Sequence, residues 1–196
     1  MESLSKLLMS FSFLSDVDIA DGVNRMYTKV LEKNDFLIRS GKTCDWLAFV
    51  SSGIIRNYYM SSKDEEVTYC LTFPGNFITA WSSFISSTNT FENIHTLTNA
   101  ELIILKKSDY YELISSSESW LRFFNFFTEQ SYILMEDRLL SIQMVTAEQR
   151  YRKLLISNPE YVQHVPLKYI ASYLGISQRH LSRLRAEISK FDNIKK

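Results

Sequence analysis

LKYIASYLGISQRHLSRL, Leu167 to Leu184, has the spacing of two short helices crossing at a tight turn. Counting from Leu167, the apolar residues Ile170, Leu174, Ile176, Leu181 and Leu184 fall at positions 4, 8, 10, 15 and 18, with Ala171 at 5 and Gly175 at 9. Alanine lets the second helix come close to the first, and glycine takes the positive φ that a sharp helix-ending turn favours. Ser177 is placed to cap the following helix by accepting a backbone N–H. An ordinary helical hairpin in a core needs one or two of these positions, whereas seven satisfied together specify a helix-turn-helix. The second helix then offers Ser177, Gln178, Arg179, His180, Ser182 and Arg183, a polar and cationic face suited to the DNA major groove.

Charge along the chain agrees with that reading. The 196 residues carry a formal charge of zero, which argues against a binder that works by bulk electrostatics. Yet residues 147–196 hold ten lysines and arginines against four acids, and residues 1–146 hold twelve against eighteen. A basic module joined to an acidic body is what a nucleic-acid reader on a sensory domain would show. Cys44 and Cys70, 26 residues apart and without CxxC spacing, are expected to be reduced thiols and not metal ligands. LLMSFSFL (7–14) is too short and too serine-rich for a secretory leader, and no run reaches the ~18–20 apolar residues of a membrane span. The expected location is the cytoplasm.

Upstream, residues 2–30 read as helical, with Leu4, Leu7, Leu8 and Phe11 on one side. From Lys33 to Leu105 the pattern changes to short runs rich in Ile, Val, Thr, Tyr and Phe: FLI (36–38), WLAFV (46–50), IIRNYYM (54–60), EVTYCLTF (66–73), FITAW (77–81), NIHTLT (93–98) and AELIIL (100–105). Their even spacing predicts a β-barrel or double-sheet roll. Ser51-Ser52-Gly53 is expected to be a hairpin turn, and 61–65 a polar hairpin tip. Ser108 is expected to cap a short helix, and Ser119 to open a long one over Trp120 to Gln143. That helix carries Leu121, Phe124, Met135 and Ile142 along one side, interrupted by Thr128, Ser131 and Arg138, and Phe123, Phe127, Ile133 and Leu134 along another. At about 36 Å it is too long for one small roll to hide, so a twin helix from a second copy is the economical partner. AEQRYRKLLIS (147–157), capped by Thr146 and ended by Pro159, reads as a further helix leading into the two-helix motif.

A β-roll, a long helix and a helix-turn-helix in this order resemble the Crp/Fnr family of bacterial transcription regulators. The sharpest matches are TAEQRYRKLL (146–155) and VPLKYIASYLGISQRHLSRLR (165–185); RSGKTCDWLAFVSSGIIRNY (39–58) and FPGNFI (73–78) match less closely. The resemblance implies an α+β chain in three parts: a cyclic-nucleotide-binding-like jelly roll over 1–115, a dimerisation helix over 116–145, and a (winged) helix-turn-helix over 146–196. It further implies a homodimer on a palindromic operator in double-stranded DNA, with RNA polymerase and a small-molecule effector as partners and no membrane. No cofactor and no metal are expected.

Departures from the family narrow the effector. Members that bind cyclic AMP hold its phosphate with an arginine, because a buried anion needs a cation. Here no Lys or Arg occurs between Lys63 and Lys106, which argues against tight cyclic-nucleotide binding. Phe77, Thr79, Trp81, Ser82 and Ser83 are the effector-pocket candidates, suited to a neutral ligand if there is one. His95, a lone strand histidine, is expected to be a packing residue. In the recognition helix Arg183 matches the family arginine and should donate bidentately to guanine, while Gln178 could read adenine. Arg179 replaces the family glutamate and inverts the hydrogen-bond polarity at one base. Lys168, Tyr169, Ser177 and Arg185 are the candidates for phosphate contacts. The eleven residues after Arg185 leave little room for a wing, although the terminal lysines could reach backbone.

Catalysis finds no support. The five glycines form neither GxGxxG nor GxxxxGK, the three histidines form no HExxH, and no GxSxG is present. DVDIADG (16–22) departs from a calcium loop, and no catalytic residue is assigned. A second rival is a dimeric sensor or interaction protein whose helix-turn-helix no longer binds specific DNA.

Overall fold

The structure, a computed structural model, describes residues 1–194, without the side chains of residues 160, 161 and 189–194. Helices α1 (Glu2–Met9) and α2 (Asp16–Asn24) open the chain; a Ser15–Asp18 capping box starts the second. Strand β1 (Met26–Leu31) follows, where helical spacing had been expected to run to residue 30. Its own apolar pattern is weak. What makes it a strand is its pairing with β8 (Ala100–Lys106), in register from Met26↔Leu105 to Leu31↔Ala100.

Two four-stranded antiparallel sheets form the roll. The first runs β1-β8-β3-β6, with β3 at Trp46–Ser52 and β6 at Phe77–Ile78. The second runs β2-β7-β4-β5, with β2 at Phe36–Ile38, β4 at Ile55–Met60, β5 at Glu66–Thr72 and β7 at Asn93–Thr96. Ile38, Val50, Ile55, Ile94, Leu102 and Ile104 fill the space between them. The intervening residues of the first sheet, Leu47, Phe49, Ile103 and Leu105, pack outward against α1, α2 and α5. Both faces of β8 are thus buried, which is why AELIIL reads as a continuous apolar run.

Ser51-Ser52-Gly53 is not a hairpin turn, because β3 and β4 belong to different sheets. It carries the chain from one sheet to the other, with Gly53 at φ +90° and a Cβ there falling 2.6 Å from the Ala100 Cβ. Residues 61–65 do close the β4–β5 hairpin, Ser61 N donating to Glu65 O at 2.9 Å. FITAW divides: its last residue begins α3 (Trp81–Ser86).

Helix α4 (Lys107–Ser116) has Lys106 at its cap position, so Ser108 lies inside the helix instead of capping it. Ser117, not Ser119, caps α5 (Glu118–Met144), accepting from Trp120 N at 3.3 Å. At 27 residues α5 is about 40 Å long. Its first turns belong to the roll. Trp120 is fully buried, donates Nε1–H to Asp18 O at 3.0 Å and lies so close to Gly22 that a Cβ there would sit 2.0 Å from the indole. Beyond Phe127 the helix leaves the roll, and of the apolar side expected at Leu121, Phe124, Met135 and Ile142 only Phe124 is taken into the core, the other three staying exposed. Arg138 turns to the carbonyl of Tyr173. The apolar residues left uncovered include Tyr132, Met135, Leu139 and Ile142, spaced by 3, 4 and 3 residues as a seam would be, with Ile133, Leu134, Leu140 and Met144 exposed around them.

Helix α6 (Ala147–Ser157) begins with a reciprocal Thr146–Gln149 capping box and is followed by α7 (Pro159–Val162), α8 (Leu167–Leu174) and α9 (Gln178–Ile194). Helix α9 runs on to Ile194, and no strand follows it among the described residues. Lys195 and Lys196, the expected backbone contacts, lie outside the described residues. No helix among the described residues is long and apolar enough to cross a membrane.

Candidate nucleic-acid interface

Helix α8 ends where the spacing requires. Gly175 adopts φ +69° and Ile176 N donates to Ala171 O at 3.0 Å, the long bond of a Schellman turn. Two residues on, His180 N donates to Ser177 Oγ at 3.2 Å, so Ser177 caps α9. Ile170, Ala171, Leu174, Leu181 and Ile188 are buried in one cluster with Tyr151 and Leu154 of α6. Burying that side of α9 leaves Gln178, Arg179, Ser182 and Arg183 exposed, at i, i+1, i+4 and i+5 along a single face. Arg185 is exposed on its shoulder and His180 is half-buried. Among the described residues Arg183 pairs with Glu187, Nε–Oε1 at 3.9 Å between two exposed side chains, too loose to occupy the guanidinium.

The phosphate candidates are less uniform. Lys168 is exposed at the start of α8. Tyr169 is engaged elsewhere: its ring lies over the Arg56 guanidinium at 3.7 Å and meets His95 edge-on. Arg56 is 1% exposed, donating to Thr68 Oγ1 at 2.8 Å and Glu66 Oε2 at 2.7 Å, with Tyr58 on its other side at 4.2 Å. Ser172 completes the dock by accepting from Thr68 N at 2.8 Å, while Arg138 donates to Tyr173 O at 2.8 Å. Helix α8 therefore covers the free edge of β5 and the outer face of the second sheet, where Ile54, Leu71, Phe73 and Leu97 join the helix-turn-helix core. Nothing in the local pattern of IIRNYYM announced this, because Arg56 reads as a solvated strand residue until α8 is laid over it.

Arg150 is a second residue whose part emerges only in three dimensions. Its guanidinium donates to Leu174 O at the end of α8, at 2.9 Å, and to Ser141 O and Val145 O at the end of α5. A cation at two helix C-termini opposes both helix dipoles and gives donors to the terminal Leu174 and Val145 carbonyls, while Ser141 O also accepts from Val145 N. It fixes the corner between the long helix and the helix-turn-helix.

His95 is a packing residue, stacked on Phe36 at 5.5 Å and edge-on to Tyr58. Burial first, and the neighbouring Arg56 charge second, hold its imidazole down to a pKa of about 4. The unfolded chain then binds more protons than the folded one between about 4 and the ordinary 6.5, so stability falls as pH drops through that window. Urea titrations across it should show a shallower pH slope for His95→Gln than for the parent chain.

The five effector candidates do not converge on one space. Thr79 and Ser83 meet around Cys44: Thr79 Oγ1 donates to Trp46 O at 2.7 Å, Cys44 N to Ser83 Oγ at 2.8 Å, and Ser83 Oγ to Thr88 O at 2.5 Å. Trp81 packs edge-on against Phe84, and Ser82 is exposed. Phe77 faces the other way, its ring 4.6 Å from Phe127 on α5. Cys44 and Cys70 are free thiols, and no group of metal-ligating side chains gathers among the described residues.

Residues 28–117 match the cyclic nucleotide-binding domain family. No curated protein matches the chain by sequence. Among solved structures it is similar to FixK2 from Bradyrhizobium japonicum, at 15% identity and TM-score 0.74 over 85% of this chain and 86% of that one. It is also similar to a protein of the crp/fnr family from Eubacterium rectale, at 16% identity and TM-score 0.69 over 90% and 84%. The fold is that of the Crp/Fnr regulators. A third Crp/Fnr-fold structure, the c-di-GMP-responsive global regulator CLP from Xanthomonas campestris, aligns at 16% identity and TM-score 0.69 over 91% and 93%. The Crp/Fnr fold accounts for the order of parts here: roll, projecting helix, then helix-turn-helix.

Proposed function

We propose that this chain is a DNA-binding transcription regulator that acts as a homodimer on a palindromic operator and has no catalytic role. Residues 1–115 sense, 116–145 pair two copies, and 146–196 read DNA. The reading is carried by the exposed polar and cationic face of α9, whose back is locked in a core and whose guanidiniums have no firm acidic partner among the described residues. Gln178, Arg179 and Arg183 face base edges, while Lys168, Ser177, Ser182 and Arg185 set register on the backbone, with His180 at the margin. Tyr169 is reassigned from phosphate contact to holding α8 on the roll. RNA polymerase is a further partner, in the cytoplasm, and the roll takes either a small-molecule effector other than cyclic AMP or none. The effector is not a cyclic nucleotide: Arg56, the buried cation of the second sheet, points to α8 and not between the sheets.

Selection from a random DNA pool should return a two-fold site with half-site centres about one helical turn, ~34 Å, apart. On that site Arg183→Ala should weaken binding by about 1–3 kcal/mol and relax preference at one guanine per half-site. Binding to unrelated duplex should fall much less. Equal losses on both duplexes would remove Arg183 from base reading and favour a sensor that acts through protein contacts.

A further inference from the structure

The space between the two sheets changes character along the roll. Ile55, Asn57 and Tyr59 alternate on the inward face of β4, and Asn57 stands opposite Ile94 of β7, a member of the inter-sheet core. At Ile55 the interior is aliphatic and closed. At Asn57 it turns polar: Asn57 Nδ2 donates to Glu92 Oε2 at 2.8 Å and to the Tyr69 hydroxyl at 3.3 Å, and that hydroxyl donates to the same Glu92 oxygen. A register shift in β5 beside Asn57 brings Tyr69 into this group.

Two unmet demands remain there. Asn57 is 3% exposed, and its Oδ1 has no hydrogen-bond partner. Glu92, also 3% exposed, meets a neutral amide and a neutral hydroxyl, and no ion pair reaches it among the described residues. Arg56 precedes Asn57 in β4 and so points to the opposite face, where Glu66 takes it. A buried carboxylate with no cation is costly, and an orphan carbonyl oxygen beside it adds to that cost. Burial accordingly pushes the Glu92 carboxyl above its usual range.

Aromatic rings frame this group. Tyr59 lies 6.2 Å from Tyr69 and 6.3 Å from Phe91, the latter pair at 73°. Phe91 immediately precedes Glu92 and is 63% exposed, a large apolar side chain with no core role. An acceptor lacking a donor and a carboxylate lacking a cation, next to π faces, form the recognition set for an organic cation, since the carboxylate supplies charge and the rings supply the quadrupole.

We propose that this end of the roll binds the primary ammonium group of a small amine, seated on Glu92 and the Asn57 carbonyl oxygen and walled by Tyr59, Tyr69 and Phe91. The site lies within a domain matched to cyclic-nucleotide binders but selects the opposite charge. The ammonium N–H groups satisfy Asn57 Oδ1 and the carboxylate together, while the alkyl chain lies against the rings. Binding is read on the protein without DNA, so the outcome is independent of the operator reading.

Calorimetric or NMR titration of the full chain with butylammonium chloride near neutral pH tests this, with sodium chloride at equal ionic strength and 1-butanol as controls. Saturable binding is expected for butylammonium, none for sodium chloride, and at least about tenfold weaker binding for butanol. Glu92→Gln, of nearly the same volume, should lose at least about tenfold in affinity while its melting temperature holds or rises, because it removes an unpaired buried charge. Phe91→Ala, at the exposed rim, should lose several-fold with melting unchanged. No saturable binding by the parent chain, equal affinity in Glu92→Gln, or equal affinity for butanol would each overturn the assignment.

Discussion

Replacing Met135 and Leu139 together by glutamate is expected to leave a folded monomer that has lost operator binding. Both side chains are more than half exposed on the single chain, so the change removes no core contact. They are the middle of the Tyr132, Met135, Leu139 and Ile142 seam, with Ile133, Leu134, Leu140 and Met144 exposed beside it. Apolar surface of this length on a projecting helix is unusual unless another helix covers it. Four glutamates brought together across a two-fold seam would repel and could not be desolvated. Sedimentation should then show one chain per particle with unchanged circular dichroism. Losing the second half-site should weaken operator binding by about a hundred- to ten-thousandfold, the usual gain from linking two modules. A variant that remains dimeric would place the interface elsewhere.

Glu66→Ala is expected to cost about 3 kcal/mol of unfolding free energy, although Glu66 itself is partly exposed. The cost arises at Arg56, which would remain 1% exposed with its charge opposed by no carboxylate. Adding Arg56→Met should recover much of the loss, since methionine fills the slot between Tyr58 and Tyr169 without a charge to bury. The same pair of variants tests the dock. With Arg56→Met, Glu66→Ala the ring contact to α8 persists and the charge is gone. Urea unfolding of the single and double variants gives the coupling directly. If Glu66→Ala melts like the parent, the ion pair is dispensable and the stacking alone holds α8.

The helix-turn-helix was legible residue by residue because its determinants are local. Gly175 is needed by the turn, Ala171 by the close approach, Ser177 by the cap, and each acts within a few residues along the chain. The strands from Phe36 to Leu105 were legible for a similar reason, since alternation and turn residues report on the strand itself. Met26 to Leu31 was not, because that segment becomes a strand only by pairing with Ala100 to Lys106, some seventy positions away. The Ser51-Ser52-Gly53 crossing was misjudged on the same ground: two adjacent strands look alike whether they share a sheet or change sheets.

Function divides along this line as well. The exposed polar and cationic face of α9 could be named from periodicity and charge, because a helix displays its side chains by rule. The placing of Arg56 under Tyr169, of Arg150 between two helix ends, and of Glu92 beside an unpartnered Asn57 could not. Each joins residues from separate strands or helices, and a buried charge acquires its meaning from what encloses it. Local backbone and side-chain rules thus set the elements and the exposed cationic face of α9. The choice of partners inside the roll and across the dock was left to long-range packing, which alone determines which polar groups lose water together.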